Sequence, residues 1–202
     1  RTAVKTIQGF LANHSVPRAL LFTGGSGQGK TTFARIVKTE LKCEDLNFCE
    51  LNGADNRGID TIREIRERMR LSPMGGDCRI WLIEEAHQLT SAAQSILLKL
   101  LEDCPDHVYF MLTTTDPQKL LKAIHTRCTE IKLIPLNHNE MTALLSNILQ
   151  KEKQNLSEEV MDRIIEVAEG SARKALVILE QILLVDGDEQ RPSIGTAPPV
   201  YS

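Results

Sequence analysis

An apolar run, Ala19-Leu20-Leu21-Phe22, breaks off into Gly24-Gly25-Ser26-Gly27-Gln28-Gly29-Lys30-Thr31, and a segment with helical spacing opens at Lys30 and continues to about residue 41. No other stretch constrains the chain so tightly, because a glycine-rich loop must turn sharply between the strand before it and the helix after it. The pattern G-x-x-x-x-G-K-[ST] in this strand–loop–helix context reads as a phosphate cradle. Glycines let the backbone N–H groups point inward, Lys30 sets a positive charge against the β- and γ-phosphates, and the Thr31 hydroxyl is suited to Mg²⁺. The helix N-terminus adds its dipole. The expected nucleotide-contacting set is Gly24, Gly25, Ser26, Gly27, Gln28, Gly29, Lys30, Thr31 and Thr32. The plain alternative is a glycine-rich turn that merely precedes a helix; the flanking strand and helix favour the phosphate reading.

Four further runs read as strands: Phe48–Leu51, Ile80–Ile83, Val108–Leu112 and Thr129–Leu133. Segments with helical spacing separate the five, near residues 30–41, 60–71, 90–102 and 117–124. Strands alternating with helices predict an α/β fold, a five-stranded parallel sheet covered on both faces. Beyond Pro135 the strand signal ends, and three amphipathic helices are expected to about residue 185. Asn139, Ser157 and Ser171 are their candidate caps, and Gly170 the end of the second. The expected organisation is therefore an α/β domain over 1–134, a small helical domain over 135–185, and a proline-containing linker or frayed end over 186–202.

Composition narrows the rest. A hydrophobic share of 42% with 25% charged residues excludes a disordered chain. Aromatics at 4%, with one Trp, argue against a base-stacking platform. A net charge of -3 means that any nucleic-acid contact must come from a local basic patch. The five cysteines form no C-x-x-C pair, so reduced thiols are expected and neither a disulfide framework nor a zinc ribbon. No apolar run reaches the roughly 18 residues of a membrane span, and no signal peptide is visible. A soluble, cytoplasmic protein with no membrane partner is the expectation.

A second motif joins the first. The apolar run Ile80–Ile83 ends in Glu84-Glu85-Ala86-His87, two acids at the carboxyl edge of a buried strand, where ligands of parallel sheets collect. Glu84 is suited to hold Mg²⁺ through its water shell, and Glu85 to polarise a water attacking the γ-phosphate. The competing reading is a solvated pair of acids ahead of a helix at Thr90. Arg57, Arg63, Arg66, Arg68 and Arg70 cluster with Asp60, Glu64 and Glu67. On one helix Arg63, Arg66 and Arg70 would form a basic stripe, and the competing reading is a solvated face balanced by short-range ion pairs.

Five segments in this order carry a family resemblance: Gly24–Thr31; Glu84–His87; Leu112-Thr113-Thr114-Thr115-Asp116-Pro117-Gln118-Lys119; Thr126-Arg127-Cys128; and Gly170-Ser171-Ala172-Arg173-Lys174-Ala175-Leu176. Over about residues 5–185 the chain resembles the clamp-loader branch of the AAA+ ATPases. From Leu100-Leu101-Glu102-Asp103-Cys104-Pro105 to Arg127-Cys128 it is similar to the γ/τ subunit of bacterial DNA polymerase III. From Glu50 to Asp60 it is closer to the small subunits of replication factor C. The resemblance implies an AAA+ P-loop NTPase fold followed by a three-helix lid, with ATP and Mg²⁺ bound. It implies a catalytic set of Lys30, Glu85, Thr115, Arg127 and Arg173. Thr115 falls on the sensor-1 position, Arg127 on the finger that acts on a neighbouring subunit's ATP, and Arg173 on the sensor-2 arginine. It also implies DNA-backbone contacts, for which Arg57, Arg63, Arg66, Thr90 and Ser91 are the candidates.

Three departures qualify the likeness. Glu84 stands where the family usually has Asp, and Thr126 where it has Ser. Cys43 stands where a bacterial zinc module begins, without its later cysteines, so no zinc is expected and Cys43 and Cys49 read as buried small hydrophobes. The family's third, oligomerising domain has no counterpart, so these residues are expected to be the ATPase core of a longer subunit. The expected function is an ATP-driven part of a ring that opens a sliding clamp and loads it onto primer–template DNA, with the other ring subunits as partners. The alternatives are another AAA+ replication or repair ATPase, such as a branch-migration or fork-restart motor, and a scaffold that binds nucleotide without hydrolysis.

Overall fold

The computed structural model describes residues 2–189 of the 202-residue chain. Five strands form one parallel sheet: β1 (Ala19–Thr23), β2 (Phe48–Asn52), β3 (Arg79–Glu84), β4 (Val108–Thr114) and β5 (Thr129–Lys132), in the order β2-β3-β4-β1-β5. Leu21 lies in register with Leu112 on one side and Glu130 on the other, and Trp81 with Phe110 and Cys49.

Both faces of the sheet are buried, which is why its central strands read as unbroken apolar runs. Leu20, Phe22, Ile80, Leu82 and Met111 pack on one face with Ile7 of α1 (Thr2–Ala12) and with Ala34 and Val37 of α2 (Lys30–Glu40). The alternate residues Leu21, Trp81, Ile83, Phe110 and Leu112 pack on the other. They meet Ile62 and Ile65 of α3 (Ile59–Arg68), Leu97 and Leu101 of α4 (Ser91–Glu102) and Ile124 of α5 (Lys122–Arg127). The five-stranded parallel α/β fold expected from the sequence is the fold observed.

Several local expectations need correction. Helix α1 was not foreseen: its first turn has no acid and its last no base. The helix expected near 117–124 is instead a short 3₁₀ turn, Pro117–Lys119, followed by α5 from Lys122. The buried Gln94 amide explains the break. It donates to the carbonyls of Leu89 (3.1 Å) and Lys119 (3.4 Å) and accepts the Leu121 N–H (2.9 Å), so the backbone there bonds to α4 rather than to a preceding helical turn. Helix α3 ends at Arg68, and the buried Arg79 guanidinium donates to the carbonyls of Arg68, Leu71 and Ser72 at and beyond that end. Arg70 therefore lies beyond the helix, and the three-arginine stripe is cut to Arg63 and Arg66.

Among the described residues, 136–189 form a second compact unit, with the boundary at Pro135. It contains α6 (His138–Glu152), α7 (Glu158–Ala168) and α8 (Ala172–Glu189), around a core that includes Met141, Leu145, Leu149, Ile164, Ala168, Ala175 and Leu179. The first cap is Asn137, not Asn139. Asn137 Oδ1 accepts the Glu140 N–H at 2.9 Å, and Glu140 returns a carboxylate oxygen to the Asn137 N–H at 3.1 Å. Asn139 lies inside the helix, where it has no free N–H group to cap. Ser157 caps α7, the backbone turns left-handed at Glu169 and Gly170, and Ser171 Oγ accepts the Lys174 N–H at 3.3 Å. Helix α8 continues to Glu189, past residue 185. The remainder of the expected linker, 190–202, lies outside the described residues. No described helix is long and apolar enough to cross a membrane.

Candidate nucleotide site

Parallel strands bring their carboxyl ends, Thr23, Asn52, Glu84 and Thr114, to one edge of the sheet. The glycine-rich loop leaves β1 there. Gly24 has φ 148°, and a Cβ on it would sit 2.6 Å from both the Leu133 carbonyl oxygen and Gln28 Oε1, so no other residue fits without moving the backbone. The loop wraps the buried Lys30 side chain, whose Nζ donates to the carbonyls of Gly24 and Gly25, each at 2.9 Å. Gln28 Oε1 accepts the Gly25 N–H at 2.7 Å. Ser26 and Thr32 are exposed, Thr32 in the first turn of α2.

Contacts across the sheet edge assemble the second half. Thr31 Oγ1, in the first turn of α2, donates to a Glu84 carboxylate oxygen. The Glu84 side chain at the end of β3 thus reaches the first turn of α2. Glu85 turns the chain off β3 in a left-handed conformation, φ 47°, and its Oε2 accepts the Thr115 hydroxyl at 2.9 Å. Lys119, 2.9 Å from Asp116, hydrogen-bonds its carboxylate and holds that group below the usual carboxylate range.

Residues without an assigned role in the sequence complete the setting. His87 Nδ1 lies 2.9 Å from Thr114 Oγ1 and 3.3 Å from Glu85 Oε2. The Glu85 N–H points at Thr113 Oγ1, 3.4 Å away, and the Asp116 N–H donates to Thr114 Oγ1 at 3.1 Å. The signal in the sequence was the threonine run at the end of a buried strand, since hydroxyls buried there require partners. Gly53 donates its N–H to the Glu84 carbonyl at 2.7 Å and has room for no side chain, because a Cβ would meet the Glu85 carbonyl oxygen at 2.7 Å.

The DNA candidates divide. Thr90 caps α4 by accepting the Ala93 N–H at 3.2 Å and donates its own N–H to the Arg57 carbonyl at 3.1 Å, so Arg57, Thr90 and Ser91 adjoin. The Arg57 side chain donates to the Ala54 carbonyl at 2.8 Å. Arg63 pairs with Asp60 at 3.1 Å and Arg68 with Glu64 at 3.3 Å, the pattern of a balanced solvated face, while Arg66 is exposed and makes no such pair among the described residues.

Arg127 stands apart from the phosphate loop. It precedes β5, whose Thr129 lies beside Leu20 near the start of β1, and it pairs with Glu102 at 2.8 Å. A five-residue strand spans roughly 16 Å, so this guanidinium sits at the amino edge, beyond reach of its own chain's loop. Arg173 lies exposed in the first turn of α8, in the second unit.

Cysteines 43, 78 and 128 are buried, and burial pushes the thiols of Cys43 and Cys128 up to about 12. Cys49, expected to be buried, is only partly so, because β2 is an edge strand. Among the described residues no group of three or more His, Cys, Asp or Glu side chains could hold a metal ion.

The family described as DNA polymerase III, delta subunit matches residues 44–137. The chain is 33% identical over 201 residues to DNA polymerase III subunit gamma of Buchnera aphidicola subsp. Schizaphis graminum, covering 89% of this chain and 55% of that protein. It is 30% identical over 205 residues to subunit tau of Bacillus subtilis (91% and 36% covered). Against the replication factor C small subunit of Methanococcus vannielii the identity is 35% over 181 residues (88% and 57% covered). The chain spans about half or less of the length of these relatives. In architecture it is similar to the RuvB Holliday junction branch migration motor of Thermotoga maritima, with a TM-score of 0.74 at 21% identity, covering 92% of this chain and 63% of that one. A DNA polymerase III gamma subunit-related protein of the same organism matches with a TM-score of 0.63 at 17% identity, over 84% and 56%.

Proposed function

We propose that this chain, a relative of the clamp-loader subunits with the AAA+ P-loop fold, is the ATP-binding and ATP-hydrolysing part of a ring that opens a sliding clamp and closes it on primer–template DNA. The observation that carries the reading is the convergence of Lys30, Thr31, Glu84, Glu85 and Thr115 at one sheet edge through the Thr31–Glu84 and Thr115–Glu85 hydrogen bonds. The donor set fits the expected ligands. A hydroxyl and a carboxylate are oxygen donors suited to Mg²⁺, and a glycine loop around a lysine is suited to phosphates. When bound, Mg²⁺ would neutralise charge on the β- and γ-phosphates.

In this reading Lys30 leaves its loop carbonyls to meet the phosphates. Glu85 takes a proton from water as the water oxygen bonds to the γ-phosphorus. The bond from that phosphorus to the bridging oxygen breaks, and ADP leaves with the electron pair. Thr115 holds the Glu85 carboxylate. Arg127, on the opposite edge, serves the nucleotide of a neighbouring subunit, and its pair with Glu102 must open for it to do so. Arg173 reports nucleotide state from the helical unit. Arg57, Arg63, Arg66, Thr90 and Ser91 follow the DNA backbone without reading sequence.

The test is steady-state ATP hydrolysis by the full-length protein with its ring partners and clamp. The expected result is strong stimulation by clamp plus primed DNA, and partial recovery when a Lys30→Ala chain is mixed with an Arg127→Ala chain. Turnover indifferent to the clamp would shift the reading to another AAA+ remodelling motor. Tight binding without turnover would make the chain a scaffold.

A further inference from the structure

We propose that His87 is a positioning residue for Glu85, fixing which carboxylate oxygen is available to take the proton; the inference rests on the nucleotide-site reading above. The His87 side chain is only 6% exposed. Its Nε2 lies 2.9 Å from the amide nitrogen of Gln88, a group that only donates, so Nε2 accepts and the ring proton resides on Nδ1. That nitrogen is hydrogen-bonded to Thr114 Oγ1 at 2.9 Å and stands 3.3 Å from Glu85 Oε2, close enough for its dipole to act on that oxygen without a hydrogen bond to it. Glu85 Oε2 receives the Thr115 hydroxyl at 2.9 Å. One oxygen of the carboxylate therefore accepts the Thr115 hydroxyl and has the His87 ring nitrogen beside it, while Oε1 makes no hydrogen bond among the described contacts. The left-handed turn at Glu85 and the short 3₁₀ turn Ala86–Gln88 fold the ring back to that carboxylate. Thr114 and Gln88 alone would satisfy a buried imidazole; the approach to Glu85 is the feature that a packing role does not require.

Orientation of a general base governs turnover far more than it governs substrate binding. In the full-length protein with its ring partners and clamp, His87→Ala should lower kcat for ATP by about 10- to 100-fold while KM stays within about twofold. His87→Asn, whose amide nitrogen can stand near Nδ1, should recover kcat to within about threefold of the parent. The ring ¹⁵N shifts of His87 in the unaltered protein should report the Nδ1–H tautomer at neutral pH, a readout independent of how well any variant folds. Parent-level kcat in His87→Ala, failure of Asn to rescue, or an Nε2–H ring would each overturn the assignment. A parent protein that hydrolyses no ATP would overturn the proposed function and with it the catalytic consequence, and the tautomer would then decide the His87–Glu85 contact by itself.

Discussion

Replacing Gly53 by Ala places one methyl group where the ends of β2 and β3 touch. The added carbon would lie 2.7 Å from the Glu85 carbonyl oxygen, 3.0 Å from that of Glu84 and 3.3 Å from the Glu85 carbonyl carbon, all of them backbone atoms. Ordinary contact begins near 3.4 Å, so the two segments must part by about 0.7 Å, which also stretches the 2.7 Å bond from Gly53 N–H to Glu84. Overpacking of this kind costs about 1–3 kcal/mol, and about 2–4 °C in midpoint for each kcal/mol in a chain of this size. A displacement approaching 1 Å beneath Glu85 should slow ATP turnover by about 10- to 100-fold. The assay is thermal unfolding followed by the fluorescence of Trp81, the single tryptophan and a buried β3 residue, paired with hydrolysis rates. Gly9→Ala is the control: it lies in helix α1 with nothing within 4 Å and should stabilise by about 0.5–1 kcal/mol. A Gly53→Ala chain with the parent's unfolding midpoint and the parent's rate would refute the packing argument.

Three further outcomes follow from the same geometry. Gly24→Ala should abolish detectable nucleotide binding in a fluorescent-ATP titration, whereas Gly25→Ala, whose Cβ meets only the movable end of Gln28, should weaken it far less. Asn137→Ala removes the reciprocal cap of α6 and should destabilise the helical unit by about 0.5–2 kcal/mol, read by circular dichroism on thermal unfolding. The thiols of Cys43 and Cys128, pushed up to about 12, keep their protons in the folded chain while an unfolded chain releases them near pH 9. Stability should therefore hold below pH 9 and fall from there toward 12, and a combined Cys43→Ala, Cys128→Ala variant should flatten that slope in urea unfolding at pH 7.5 and 10.

Much of the site is readable in the chain because its parts are short and local. The loop Gly24–Thr31 and the acids Glu84-Glu85 each carry their meaning within eight residues, next to an apolar strand whose two buried faces leave no alternation to confuse. The supporting contacts were not readable. Thr31 meets Glu84 across 53 residues and Thr115 meets Glu85 across 30, and each contact exists only because β3 lies beside β4 and β4 beside β1. His87, Thr114 and Gly53 belonged to segments whose motif was recognised, yet their parts emerge only when the strand ends are side by side.

The misplaced elements have the same origin. The pattern near 117–124 is helical, but the Gln94 amide, reaching from α4, claims the Leu121 N–H and delays the helix to Lys122. The spacing of Arg63, Arg66 and Arg70 is helical as well, but α3 stops at Arg68, and the Arg79 guanidinium holds the Arg68 carbonyl and those of Leu71 and Ser72 beyond it. Local periodicity and glycine placement thus determined which elements form and where the phosphate loop lies. Where α5 begins, and which oxygen of Glu85 is held, was decided by hydrogen bonds between segments far apart in the chain, because a buried donor or acceptor takes whatever partner the folded sheet sets beside it.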